Sequence, residues 1–214
     1  MKGKTSIAQL TQDYIKQNPA ISYCLKKEIL SYAKLSKFIA KELNTEKKSS
    51  LEAISIASIR YEKEIKNNIN DEIKIKQIFK QSTLDIKTNI AYILVKKGLL
   101  KTNIIEEIKK FEFVYLTQTK NHYLIIFEES NREDIDSLIE IGKCDYINSD
   151  MVFLLLKTSK NIEKTPGVVG YLMGLLTEQK INIYEFVSCY DTTYLLIHKS
   201  DFPKTYEIIE KIMK

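Results

Sequence analysis

The sequence predicts an α+β protein: a basic helical module over residues 1–82, followed by two βαββα units over residues 83–150 and 151–214. Three observations carry this expectation. Before Ser82 the apolar residues recur at helical spacing, as in Leu35, Ile39 and Leu43. After Thr83 they follow the order strand, helix, strand, strand, helix, and that order occurs twice. The charge divides at the same point. Residues 1–82 carry 16 basic and 9 acidic side chains, a net +7, and residues 83–214 carry a net −2 within a total of +5.

The helical module opens with a segment from about Ser6 to Gln17 that Asn18-Pro19 stops, Asn18 being a plausible cap for the next turn. Ser31 is placed to cap a helix that presents Leu35, Phe38, Ile39 and Leu43 on one side. After a connector, Ser49-x-x-Glu52 reads as a capping box opening a helix whose Ala53, Ile54, Ala57, Tyr61 and Ile65 face a core. Ser50, Ser55, Arg60 and Lys63 are then the candidate contacts to double-stranded DNA, since hydroxyls and cations suit phosphates and base edges. The arrangement resembles a helix-turn-helix or winged-helix unit with its second helix in the recognition position. A plain bundle with a solvated lysine face, or a surface that docks another protein, fits the same residues.

In the first βαββα unit, 86–96 is strand-like, 103–111 a short helix, 113–119 and 123–128 strands, and 131–141 a helix. In the second, 151–157 is a strand, 166–180 a helix, 182–189 and 193–198 strands, and 202–213 a helix. YLIIFEES from Tyr123 lies over YLLIHKSD from Tyr194 without gaps. The pattern is the ferredoxin-like arrangement. Lys143–Asn148 is expected to supply the fourth strand of the first unit. The second unit shows no fourth strand of its own, so it is truncated or takes one from elsewhere.

Punctuation gathers in NIEKTPGVVGYLMGLLTEQKINIYEF, residues 161–186, which holds three of the six glycines and one of the three prolines. Proline presets φ at a helix start, and glycine beside it lets a ligand approach the backbone. The unpaired N–H groups of Gly167, Val168 and Val169 would then face a carboxylate at the positive end of the helix dipole. Asn182, in the turn into the next strand, carries both a donor and an acceptor for the polar remainder of a free amino acid. Thr165, Pro166, Gly167, Val168, Val169 and Asn182 are accordingly the candidate ligand residues. The alternative is that the Pro-Gly pair shapes the loop and Asn182 closes a turn. Gly170 and Gly174 lie on one helix face and allow close packing.

The strand before this loop, Pro166-Gly167, the helix with Val168, Val169, Leu172 and Leu175, the Lys180-Ile181-Asn182-Ile183 turn and the strand after Asp191 together resemble an ACT domain over residues 151–214. Residues 83–150 are similar to a degenerate copy that lacks the Pro-Gly. Across the whole chain the order resembles archaeal proteins described as predicted regulators of amino acid metabolism containing an ACT domain. The resemblance implies an amino-acid-responsive regulator of transcription that forms homo-oligomers such as dimers through its ACT units.

Composition narrows the classes further. A hydrophobic fraction of 44% beside a charged fraction of 29% suits a folded polar-surfaced protein, and no apolar run reaches a membrane span. The N-terminal stretch has no apolar core behind its lysines, so a cytoplasmic location without membrane association is expected. No nucleophile elbow, phosphate loop, dinucleotide fingerprint or metal-ligand spacing occurs. The expectation is no enzyme, no catalytic residue, no cofactor and no metal. Cys24, Cys144 and Cys189 are expected to be buried thiols.

Overall fold

The computed structural model describes residues 6–66, 70–100, 104–139 and 146–214. The chain divides into two compact units, 1–70 and 71–214.

The first unit is a bundle of α1 (Ile7–Gln17), α2 (Pro19–Lys26), α3 (Tyr32–Glu42) and α4 (Lys48–Lys66). The Ser6 hydroxyl accepts from Gln9 N–H and caps α1, and Pro19 occupies the first turn of α2. Asn18 does not cap α2 with its side chain; its Nδ2 donates back to the Tyr14 carbonyl at 2.7 Å. Ile15, Leu25, Leu35, Ile39, Ala40, Ile54, Tyr61 and Ile65 form the core. Phe38, expected to face inward, is half exposed and meets the Tyr14 ring edge-on, because Ser36 and Ala40 take the inner positions of α3. Ser31 stands at the N-cap of α3 without a side-chain hydrogen bond. Helix α4 opens at Lys48, which puts Ser49 inside the first turn rather than at the cap.

The second unit begins with α5 (Asn70–Lys80), whose Ile75, Ile78 and Phe79 belong to the core of the following sheet. The boundary expected at residue 82 differs from the structure, where Ile75, Ile78 and Phe79 share a core with Val152, Leu154 and Leu156 of the sheet. The remaining elements are β1 (Thr83–Lys96), α6 (Ile104–Glu107), β2 (Val114–Gln118), β3 (His122–Glu128), α7 (Arg132–Ser137), β4 (Tyr146–Lys157), α8 (Val168–Glu178), β5 (Ile183–Cys189), β6 (Thr192–His198) and α9 (Phe202–Met213).

The six strands among the described residues form one antiparallel sheet in the order β2-β3-β1-β4-β6-β5. The long strands β1 and β4 each serve two halves. Ile90–Lys96 of β1 pairs with β3, while Thr83–Lys87 pairs with Leu154, Leu155 and their neighbours at the end of β4. Tyr146–Asn148 of β4 pairs back on Tyr92–Leu94, while Met151–Lys157 pairs with β6. Each half therefore has the four-strand ferredoxin-like order, and each takes its fourth strand from the other's long strand. The strand missing from residues 151–214 is Thr83–Lys87. Of the expected Lys143–Asn148 strand, Tyr146–Asn148 is part of β4, and its beginning lies outside the described residues.

At the crossover both long strands carry a left-handed residue, Asn89 at φ 56° and Asp150 at φ 57°, and the register of β1 shifts after Lys87. Asn and Asp accept this conformation more readily than other non-glycine residues. The register shift and these residues let the strands change direction, and the sheet folds on itself. Tyr115 of β2 and Tyr194 of β6 stand four strands apart in the order, about 19 Å if the sheet were flat, yet their ring centroids are 5.1 Å apart. Phe153 completes the seam with centroid distances of 5.1 Å to Phe113, 4.7 Å to Tyr115 and 5.0 Å to Tyr194. Helices cover the outer faces. Helices α5, α8 and α9 pack on Val152, Leu154, Leu156, Leu195 and Ile197, while Ile104, Ile135 and Ile139 pack on Ala91, Ile93, Ile125 and Phe127.

Cys24 is half-buried and Cys189 exposed, the latter against expectation because it ends the edge strand β5; Cys144 lies outside the described residues. Among the described residues no helix is long and apolar enough to cross a membrane.

Candidate functional site

The loop from β4 to α8 is anchored before it reaches the Pro-Gly pair. Thr158 donates its N–H to the Asp191 carbonyl at 2.7 Å and its hydroxyl to the same oxygen at 3.1 Å. A 3-10 turn over Lys160–Lys164 follows, and Thr165, buried, donates its hydroxyl to the Asn161 carbonyl at 2.9 Å. Pro166 is exposed and sits ahead of the helix rather than in its first turn. Gly167 is the N-cap, with φ 91°, a conformation in which a Cβ is strained. No side chain caps α8. The first turn of a helix has N–H groups without intrahelical partners, so Val168 and Val169 begin a helix whose positive end is open to an acceptor.

Helix α5 lies over this start. A Cβ on Gly167 would meet Ile75 Cδ1 at 3.4 Å. Phe79, 1% exposed, joins Val168, Val169, Leu172, Ile162 and Phe186 around a residual space of about 10 Å³, too small for any ligand. The roomy side of the loop is the other one. There a cleft of about 340 Å³ is lined by Lys74, Gln77, Ile78 and Gln81 from α5 and its end, and by Ser159, Asn161, Lys164 and Thr165 from the loop.

Asn182 does not join this group. It precedes Ile183, which pairs with Ile197 opposite Val152, whereas the loop leaves from Lys157 at the level of Thr192 and Cys189. Asn182 and Gly167 thus lie at opposite ends of α8, about 16 Å apart for eleven residues at a rise of 1.5 Å. Thr165, Pro166, Gly167, Val168 and Val169 are contiguous in one place. The residues that sequence reading missed are those of α5. Their signal was the Ile75, Ile78, Phe79 stripe, which shows an apolar face without saying what it covers.

With this geometry in view, comparison with known families is specific for the segment that contains it. Residues 154–211 match the family model of the ACT domain. The ACT segment thus includes the Pro-Gly loop, α8, β5, β6 and nearly all of α9. No curated protein matches the chain in sequence. Among solved structures, aspartate kinase from Clostridium acetobutylicum is similar at 15% identity and a TM-score of 0.49, over 61% of this chain and 34% of the kinase. A C-terminal regulatory domain of aspartate kinase from Porphyromonas gingivalis is similar at 17% identity and a TM-score of 0.45, over 62% of this chain and 96% of that one. The regulatory subunit of aspartate kinase from Thermus thermophilus is similar at 10% identity and a TM-score of 0.46, over 63% and 99%. The chain thus spans about a third of the length of the full kinase.

The nucleic-acid candidates lie on α4. Arg60 and Lys63 are exposed, Ser55 is half-buried, and Ser50 is 6% exposed on the side that packs into the bundle. At 100° per residue, Ser50 shares the face of Ile54, Ala57 and Tyr61, away from Lys63. The end of α4 is fixed by a charged network. The Tyr32 hydroxyl and Lys66 Nζ donate to the two oxygens of buried Glu62, and Lys66 also pairs with Glu28. Burial disfavours the charge on Glu62, but the hydrogen bonds from Lys66 and Tyr32 outweigh it and hold the carboxyl below its ordinary range. The hydrogen bond to Glu62, with burial, pushes the Tyr32 hydroxyl up to about 12.

Proposed function

We propose that the chain is an amino-acid-responsive regulatory protein, in which a free amino acid binds at the ACT segment and the helical module carries the response to duplex DNA. The observation that carries the sensing half is the start of α8: a left-handed Gly167 and no side-chain cap, inside a segment that matches the ACT domain. An open helix N-terminus accepts a carboxylate, a group that every free amino acid carries. The basic charge of the helical module and the exposure of Arg60 and Lys63 support the DNA half. Its role is regulatory rather than catalytic, and homo-oligomers through the ACT segment belong to the same reading.

A second reading keeps the sensor and replaces the output. The helical module exposes Tyr23, Ile29, Phe38 and Ile56, at 52%, 66%, 50% and 53%. Large apolar side chains in that number favour docking on another protein, such as a biosynthetic enzyme subject to feedback.

Calorimetry of the full chain against the twenty amino acids tests the sensor, and binding of at least one is the expected result. DNA binding measured across a salt series tests the output. Affinity should fall steeply as salt rises, because phosphate neutralisation releases counterions, and Arg60→Ala with Lys63→Ala should flatten that slope. Absence of DNA binding at low salt would transfer the output to protein docking.

A further inference from the structure

We infer that the groove enclosed by α5, α8 and α9 is a binding site for an amphipathic organic anion, a single carboxylate or similar head on an apolar chain or ring. The site is distinct from the start of α8, since Tyr171, the residue through which it first touches that helix, lies a full turn past Gly167.

The groove follows from the pattern of each helix. Tyr171, Leu175 and Glu178 recur at spacings of four and three and form one stripe of α8; Ile208, Lys211 and Ile212 form one stripe of α9; Lys76 and Lys80 stand one turn apart on α5. Leu172 and Leu176 enter the core, which leaves Leu175 to line the groove. The Tyr171 ring packs on Phe79 of α5 with 5.9 Å between centroids, so this part of the lining is preformed. The space measures about 420 Å³, within the roughly 300–1,000 Å³ typical of small-molecule sites. Helices that pack to native density leave no such space between them, and here it keeps the apolar side chains of Tyr171, Leu175, Ile208 and Ile212 open to water.

The rim sets the charge of the occupant. Lys76, Lys80 and Lys211 line the groove, and among the described residues none of the three has an ion-pair or hydrogen-bond partner. Lys214, which also lines it, is paired with Glu210 at 3.3 Å. A place in the last turn of α5 and of α9 accounts for a cation at Lys80 and Lys211, but not for the apolar surface between them. A lysine lays its aliphatic stem along such a surface and keeps its ammonium in water. An anion with an apolar body answers both parts: the body covers the four apolar side chains and the head meets the ammonium groups. Glu178 in the same lining opposes a second negative group, which makes the ligand a monoanion.

The test is an NMR titration of the isotope-labelled full chain with butyrate, hexanoate, octanoate and octanamide, with affinities from calorimetry, repeated on the double variant Lys80→Gln with Lys211→Gln. Both lysines are exposed, so the unliganded variant should melt with the wild type. Octanoate should shift the amide signals of Tyr171, Leu175 and Lys211. Affinity should rise about two- to fourfold per methylene from butyrate to octanoate, up to the value for a fully buried methylene. Octanamide should bind at least about fivefold more weakly than octanoate, and the double variant should lose about five- to thirtyfold for octanoate, the upper range for one and two exposed ion pairs. Equal affinity along the series would reduce the groove to a lysine cluster and overturn the amphipathic class. Shifts confined to other residues, octanoate affinity unchanged in the double variant, or no binding at millimolar concentration overturns the site. Shifts of the same amides on raising the protein concentration without ligand would place a second copy in the groove and overturn a small-molecule occupant. The amino-acid titrations described above read the start of α8 separately, so failure here leaves that reading standing.

Discussion

In the second half of the sheet-bearing unit the chain leaves β4 through Thr165-Pro166-Gly167 and runs eleven residues as α8; in the first half it leaves β1 through Lys97–Leu99 and makes a four-residue α6. The strand orders are the same, and each half completes the other's sheet. What differs is the helical layer. Strand exchange binds both halves to one geometry through backbone pairing, so neither can lose a strand without opening the other's edge. Helices on the outer faces are under no such joint constraint. The second half kept a long helix with an open start and a covering α5, and the first half kept enough apolar contact, through Ile104, Ile135 and Ile139, to close its core.

The largest expected effect concerns whether the halves are one cooperative body. Phe153 is 1% exposed and touches rings from both halves, so Phe153→Ala should cost about 3–5 kcal/mol. Chemical denaturation followed by circular dichroism should show the sheet lost in a single, earlier transition. Two separate sheet transitions would mean that the halves are independent despite their exchanged strands.

A matched pair of glycine replacements sharpens the contrast between connectors. Gly167 holds φ 91°, where an L side chain costs about 1–2 kcal/mol. Gly167→Ala should therefore lower the melting temperature. Gly98 has no atom within 4 Å of a built Cβ and no positive φ, so Gly98→Ala should be neutral or stabilise by up to about 1 kcal/mol through the unfolded chain. Equal effects at the two sites would show that the connectors are not constrained differently. A destabilised Gly167 variant also means that ligand affinity must be compared below its own melting point.

The smallest effect is at the seam's polar contact. Tyr194 of the second half and Thr117 of the first lie within hydrogen-bond distance, 3.3 Å between oxygens. Burial raises the Tyr194 hydroxyl above the ordinary 10.0, against a smaller lowering by Thr117, and burial raises Tyr115 as well. A raised folded pKa contributes stability that is present below about pH 10 and is lost as pH rises through the folded value. Stability should accordingly fall on the alkaline side, and Tyr194→Phe should reduce that fall while costing about 1 kcal/mol at neutral pH. An unchanged alkaline profile in Tyr194→Phe would place the sensitivity elsewhere.

Much of this arrangement was legible in the sequence, because it rests on local patterns. The continuous apolar runs in 151–157 and 193–198, the Pro-Gly break and the twice-repeated order fixed the elements within a few residues. The fourth strand of the second half was recognisable as missing but not as Thr83–Lys87, since Leu84 and Ile86 alternate as Ile90 and Tyr92 do, and only pairing reveals that the two stretches serve different halves. The site divided along the same line. Thr165 to Val169 are contiguous and were found together. Asn182 was grouped with them because sequence proximity across a helix conceals the length of that helix. Ser50 is expected outside with the residues left over from the inward face of α4, but four residues before Ile54 it lies on that same inward face and packs into the bundle.

The exchanged strands also bear on how the protein is made. Thr83 pairs with Lys157, and Tyr92 with Asn148, so neither half can finish its sheet until the stretch between has left the ribosome. The helical bundle is a compact unit in its own right and precedes the sheet in the chain, so it is free to form while synthesis continues. During that interval Leu84, Ile86 and the apolar face of α5 have no sheet to cover, and transiently exposed apolar surface of this kind is prone to aggregate before the sheet closes over it.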